Sequence, residues 1–262
     1  MSRLIIIAFC ILVVSCSESQ RDLDTAVNTC EDISMAQTIY SDAYKQMRAA
    51  ALGNRGISDS KDSITTIFGC ESITVDTLSN PRTIIIDYKF LSCEGMGVER
   101  FGRLKGEFFG KFGEEHSAVD ITFANYFYQT NEIGGLLRII FKENNIDGNE
   151  VHTFYVQGGS IYDGNSTMSW TASQNWVVLS ETDVQQFEFT GTSNGMNKKG
   201  NAFFSEIKTK NTITDDCLYV GSGSLDLEVL NLSRRNLNFG SGICDKKAVA
   251  TINGASHEVR LP

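Results

Sequence analysis

The sequence predicts a mainly β fold, an antiparallel meander in the form of a curled sheet, a sandwich or a partly closed barrel, preceded by one N-terminal helix. Two patterns carry the β prediction. From Ile64 onward apolar residues recur with period two, as in Val119/Ile121/Phe123, Phe187/Phe189 and Leu225/Leu227/Val229, the spacing of strands with one buried face. Turn-forming clusters interrupt this pattern at hairpin intervals: Ser79-Asn80-Pro81, Gly113-Glu114-Glu115, Asn145 to Asn149, Asp163-Gly164-Asn165 and Asn197 to Gly200. Most contain residues that tolerate positive φ or preset a turn. Strands that follow one another without intervening helices pair with their neighbours in an antiparallel meander. The helix is read from Ile33, Ala36, Ile39, Tyr40, Ala43, Tyr44, Met47 and Ala51, which recur at steps of three and four before Gly53. Ser34 with Gln37 three residues on forms a candidate capping box at its start.

Ahead of the helix, Arg3 and the apolar run Leu4 to Val14 have the form of a signal peptide. The run is too short to span a hydrocarbon core of ~30 Å, which needs about 20 residues. It ends in Val13-Val14-Ser15-Cys16, which resembles the lipobox of bacterial lipoproteins, where the cysteine receives diacylglycerol before cleavage. Acyl chains at ~0.8 kcal/mol per buried CH2 make such anchoring close to permanent. Ser17 after the cysteine resembles the outer-membrane default of the enterobacterial sorting rule. The expected organisation is a lipoprotein signal peptide over 1–15, a lipid-anchored tether over 16–32, an amphipathic helix over 33–53 and an antiparallel β domain over 64–262. The expected location is the cell envelope, on the outer membrane, with the membrane as a partner through the N-terminal lipid.

Composition narrows the partners. With 41% hydrophobic and 21% charged residues, the chain is of the ordinary globular kind, so disorder is not expected beyond the tether. The formal charge is −9, and removal of Arg3 with the leader lowers it by one more. Lys198-Lys199 and Arg234-Arg235 are only short basic pairs. This balance argues against nucleic acid and against a basic patch for anionic lipid.

An exported chain meets an oxidising compartment, so Cys30, Cys70, Cys93, Cys217 and Cys244 are expected to pair. A weak internal repeat narrows the choice. Ile86-Asp87-Tyr88 precedes Cys93 as Leu237-Asn238-Phe239 precedes Cys244, and Cys70 and Cys217 stand at similar distances before those strands. The simplest reading is one bridge per block, Cys70 to Cys93 and Cys217 to Cys244, with Cys30 a free thiol. The alternative places Cys30 in one of the pairs.

From Cys70 through Leu261 the chain resembles an envelope lipoprotein family of unknown function from Bacteroidota, chiefly its flavobacterial and cytophagal groups. The likeness lies in Pro81-Arg82-Thr83-Ile84-Ile85-Ile86-Asp87-Tyr88 before a cysteine, Arg103-Leu104-Lys105-Gly106 after it, and Ile121-Thr122-Phe123-Ala124-Asn125-Tyr126. It continues in Phe189-Thr190-Gly191-Thr192-Ser193-Asn194-Gly195 and in the run from Asn238 through Cys244 to Gly254. The order of these motifs carries the resemblance. The chain departs from the family pattern at Lys246-Lys247 and at Cys30. The resemblance brings with it no activity and no catalytic residue.

Chemistry-bearing patterns are few, and no catalytic residue, cofactor or metal is predicted. His116, His152 and His257 each stand apart from other ligand-type residues and are expected on surface turns or strands. Glu143, Asn145, Asp147 and Gly148 imitate the start of a calcium loop, but position 154, where the closing glutamate belongs, is Phe. A hairpin turn accounts for them. Asp215-Asp216 is a paired carboxylate beside a cysteine with no partner assignable from sequence. Phe123, Tyr126, Phe127, Tyr128, Tyr155, Tyr162, Trp170 and Trp176 are expected to fill a core, the alternative being a face that stacks on sugars or holds an acyl chain. Thr25, Ser63 and Thr77 follow aspartates in three-residue stretches that resemble the O-glycosylation acceptor of Bacteroidota. The expected role is a non-catalytic binding or structural module with a glycan, lipid or protein partner. The alternative is a carrier or chaperone for an amphiphile held in a curled sheet, and a third reading is a glycan- or lipid-active enzyme. A continuous apolar cavity distinguishes the carrier; a filled core distinguishes the module.

Overall fold

The structure is a computed structural model that describes residues 24–89, 93–179 and 184–262. The expected signal peptide and Cys16 lie outside the described residues. Helix α1 (Asn28–Leu52) is followed by β1 (Ser72–Asp76), β2 (Arg82–Asp87), β3 (Cys93–Gly95), β4 (Val98–Phe109), β5 (Ala118–Tyr128), β6 (Asn131–Lys142) and β7 (Glu150–Tyr162). Then come β8 (Thr167–Leu179), β9 (Gln186–Met196), β10 (Ala202–Thr214), β11 (Ser222–Val229), β12 (Arg235–Ser241), β13 (Lys247–Ile252) and β14 (Ala255–Arg260). All fourteen strands belong to one antiparallel sheet in chain order, with the short β3 folded back on β4. The sheet is not closed: β1 and β14 are its two edges. Each predicted turn cluster lies between consecutive strands. The chain is thus mainly β, a curled meander with one N-terminal helix.

The sheet curls around α1. The helix touches β2, β4, β5, β8 and β14, strands taken from both ends of the sheet, and 20 of its 25 residues are buried. An amphipathic surface helix buries one stripe. Here the polar side is enclosed as well, with Asp42, Lys45, Gln46 and Arg48 buried beside Ala43, Tyr44 and Met47. Period-two alternation turns Phe154, Trp176, Phe187 and Phe189 inward, and Trp176 lies parallel to Phe154 and Phe189 with ring centroids 4.8 and 4.6 Å apart. Tyr44 meets the edge of Trp176 at 5.8 Å.

Tight curvature needs breaks in the ladder. One break falls where Gly102 of β4, at φ +76°, crosses β5: a Cβ there would stand 1.9 Å from the Asn125 carbonyl oxygen. Another separates Gly134 from Leu136 on β6. The Tyr40 hydroxyl enters this gap, donating to the Gly134 carbonyl at 2.6 Å and accepting from the Ser160 amide at 3.0 Å. Gly159 makes room for it, since a Cβ there would lie 2.7 Å from that hydroxyl.

Two boundaries differ from the sequence reading. The helix begins at Asn28 rather than at residue 33, and Ser34 and Gln37 form no capping box. Ser34 instead donates back to the Cys30 carbonyl, and Gln37 pairs across the interior with Gln174. The helix start is held from the sheet: Asn197 donates to the Thr29 hydroxyl at 2.8 Å, and the Lys198 amide donates to Asp32 at 3.0 Å. The β structure begins at Ser72 rather than at residue 64. Residues between the helix and β1 make a loop tied by the Glu71 carboxylate, which accepts from the Thr66 hydroxyl and the amides of Ile67 and Phe68. No described helix is long and apolar enough to cross a membrane.

Disulfides join Cys70 to Cys93 and Cys217 to Cys244, with Cα atoms 5.4 and 5.7 Å apart. Each lies within one block of the internal repeat. The first fastens the loop before β1 to β3; the second fastens the β10–β11 connection to the β12–β13 connection. Cys30 is a free thiol, fully buried in α1, and burial pushes its pKa up to about 12. Protonated and enclosed, it lacks the thiolate that reacts with electrophiles. Iodoacetamide at neutral pH is therefore expected to spare Cys30 in the folded protein and, among the five described cysteines, to modify Cys30 alone once the chain is denatured without reductant. Non-reducing peptide mapping should recover the two bridges as stated.

Candidate functional site

The described residues concentrate their buried charge along the second half of α1, where the helix faces β3, β4 and the β10–β11 connection. Arg100 of β4 is fully buried and grips Asp42 with two parallel bonds of 2.9 Å. Its remaining donors go to the carbonyls of Gly95 (2.8 Å) and Val98 (3.0 Å). The guanidinium lies over the Phe68 ring, 4.9 Å from its centroid, with Phe68 itself positioned by Glu71 beside the first disulfide. Fork-on-fork pairing satisfies planar donors and acceptors together, which a pair removed from water requires.

Lys45 is 7% exposed and donates to the carbonyls of Thr214 (3.0 Å) and Cys217 (2.6 Å). Burial lowers its pKa. Arg48 is bonded to both oxygens of Glu150 on β7, at 2.8 and 3.1 Å. These side chains floor a cleft of about 230 Å3 whose rim carries Ile67, Phe68, Met96 and Leu52. Asp215 stands at the mouth. Desolvation raises its pKa while the charges of Lys45 and Arg48 oppose the rise. Lys45 and Arg48 are each committed to partners inside the protein, so the cleft floor is a set of fastenings between helix and sheet.

His152 corrects the sequence reading: it is fully buried, not at the surface. On β7 it shares its face with Phe154 and Val156, a period-two signal visible in the sequence. It is walled by Tyr44, Phe141 and Trp176. Its Nδ1 lies 3.3 Å from Glu150 Oε1, an ion-pair distance without hydrogen-bond geometry. Burial holds its pKa below the ordinary value of 6.5. For Glu150, burial raises the pKa, but His152 and Arg48 outweigh it and the net direction is down. His152 is enclosed in the core, and Glu150 is half-buried beside it. His116 sits on an exposed turn and His257 is half-buried on β14.

The other singled-out residues separate into core and turn. Tyr126, Tyr128, Trp170 and Trp176 are buried, and Phe123 packs edge-on against Tyr40 at 5.5 Å. Tyr155 and Tyr162 face outward on β7. Asn145 Oδ1 accepts from the amides of Asp147 and Asn149, so the calcium-like stretch closes on itself as a hairpin turn. Cys70, Glu71 and Cys93 place two sulfurs and a carboxylate within 4.8 Å, but the sulfurs are bonded to each other. Thr25, Ser63 and Thr77 are all exposed. The charged contacts of α1 escaped sequence reasoning because Arg100 is separated from Asp42 by more than fifty positions. Comparison with protein-family models, with curated proteins and with solved structures finds no match.

Loss of either member of the Asp42–Arg100 pair strands a buried charge, which costs about 3–5 kcal/mol. Asp42→Ala and Arg100→Ala should each lower the unfolding free energy by that amount, seen as a lower denaturant midpoint. Asp42→Leu combined with Arg100→Met should cost less than the two singles added together, measured by urea unfolding. His152 gives a second expectation. Its folded pKa is depressed, so its contribution to stability is present above pH 6.5 and is lost as pH falls through the folded value. Thermal melts should drop as pH is lowered from 6.5, and His152→Phe should flatten that part of the profile. An unchanged profile would exclude His152 as the titrating group.

Proposed function

We propose that this chain is an envelope lipoprotein, tethered by lipid on Cys16, that serves as a non-catalytic binding or structural module. The lipobox-like Val13-Val14-Ser15-Cys16 supports the tether. The observation that carries the module reading is the filled interior: the space inside the curled sheet is occupied by α1, with Tyr40, Tyr44 and Met47 fully buried. An acyl chain could enter only if α1 left. That would unpair Arg100 and Arg48 from Asp42 and Glu150 and open the bonds from Lys45 to the sheet. The cleft of about 230 Å3 is small for such a ligand and has a charged floor. The working surface is therefore the outside of the sheet and its turns.

The tether has a direct test. The substitution Cys16→Ser removes the thiol that accepts diacylglycerol, so metabolic labelling with a radioactive fatty acid should mark the wild-type protein and leave the variant unlabelled and unprocessed. Label retained on the variant would overturn the assignment.

A further inference from the structure

Asp24 is fastened to the sheet. Its carboxylate accepts from the Ser233 amide (2.6 Å), the Ser233 hydroxyl (2.7 Å) and the Asn253 side-chain amide (3.1 Å). From within, the buried Arg235 side chain donates to the carbonyls of Asp24 (3.0 Å) and Ala26 (3.3 Å). Ser233 lies between β11 and β12, and Asn253 lies between β13 and β14. In an antiparallel meander alternate hairpins turn at the same end. This end also holds the β7–β8 and β9–β10 turns, and the latter is bonded to the helix start through Thr29.

Only residues 17–23 separate Cys16 from Asp24. Eight extended steps at ~3.6 Å reach less than about 30 Å. The opposite end of the sheet lies a full strand away: β8 and β10 have 13 residues each, roughly 43 Å at ~3.3 Å per residue. A lipid on Cys16 therefore brings the Asp24 end to the bilayer and leaves the far turns of the long strands, Ile146 between β6 and β7 among them, out of reach; the β12–β13 turn, across strands of 7 and 6 residues, lies nearer.

At that same end, the outer wall carries an apolar patch. Ala202 of β10 pairs with Met196 of β9, and the Leu230 amide donates to the Ala202 carbonyl at 2.9 Å. Phe204 follows on the same face of β10. Met196, Phe204 and Leu230 are 47%, 44% and 63% exposed, and Leu230 and Phe204 line one shallow depression. The nearby Arg234 is neutralised by Asp226 at 2.9 Å and Glu228 at 3.7 Å. Exposed Leu78, Ile146 and Ile243 belong to turns at the opposite end.

We propose that the Met196/Phe204/Leu230 patch is a membrane-contacting surface that inserts at the boundary of headgroups and acyl chains of the bilayer to which Cys16 is tethered. This rests on the lipoprotein reading above. Apolar side chains beside a short tether turn a flexible attachment into a fixed orientation. Because the chain is acidic and the arginine beside the patch is paired, the patch recognises the apolar boundary of the bilayer and not its charge.

The test uses the full lipidated protein in phosphatidylcholine vesicles containing brominated phosphatidylcholine, which quenches indole on contact. Trp170 and Trp176 are 1% and 0% exposed and give a constant background. The variants are Leu230→Trp, Phe204→Trp as a second site on the patch, and Ile146→Trp at the far end. Expected are flotation of all three with vesicles, strong quenching of the two patch tryptophans at low and at ~1 M salt, and none for Ile146→Trp. Flotation with patch tryptophans quenched no more than Ile146→Trp would overturn the surface assignment and leave the tether standing, making the patch a protein contact. Failure to float would overturn the tether, and the surface assignment with it.

Discussion

The structure depends on one constraint: α1 carries charged and amide side chains on its flanks and is nevertheless walled in by the sheet. A buried polar group without a partner costs about 1–3 kcal/mol, and a charge costs more. Each turn of the helix must therefore meet a matching group on the wall. Asp42 meets Arg100, Arg48 meets Glu150, Gln37 meets Gln174 and Lys45 meets two carbonyls, one at the end of β10 and one in the β10–β11 connection. These pairings fix how the helix is rotated and how far it sits along the strands. Apolar contacts such as Tyr44 against Trp176 fill the space but discriminate less between neighbouring registers.

The same constraint shapes the sheet. Fourteen strands wrapped around one helix need more curvature than regular pairing gives, and the ladder is interrupted where the helix presses closest. Tyr40 replaces a missing rung between β6 and β7, and Gly159 leaves space for its hydroxyl. The first disulfide and Glu71 hold Phe68 beneath Arg100, so the loop between helix and sheet covers the deepest ion pair. Enclosure of α1 also leaves little interior volume for a ligand, which moves attention to the two ends and the outer wall. The ends are not equivalent, because one receives the chain from the direction of Cys16.

Much of the architecture was legible in local pattern. Period-two alternation and turn clusters marked the β meander, and the three-to-four spacing of Ile33 through Ala51 marked the helix. Sequence reading missed the helix start because it looked for a local cap, and the cap comes from Asn197 and Lys198, more than 160 positions away. It also placed His152 outside, although His152, Phe154 and Val156 alternate inward in the expected way. There residue type was allowed to outweigh periodicity.

The sequence by itself determined what neighbouring residues decide: strand and helix identity, the turns, the acidic balance of the chain and the apolar run before Cys16. Such features follow from backbone preference and side-chain period, which act over a few residues. Tertiary structure alone decided that the open sheet curls around its own helix and that Asp42 and Arg100 share a buried bond. It also placed Asp24 on Ser233 and Asn253, and set Met196, Phe204 and Leu230 side by side. These depend on sheet curvature, which sums the twist and bulges of every strand, and on which distant polar groups must satisfy one another once water is gone.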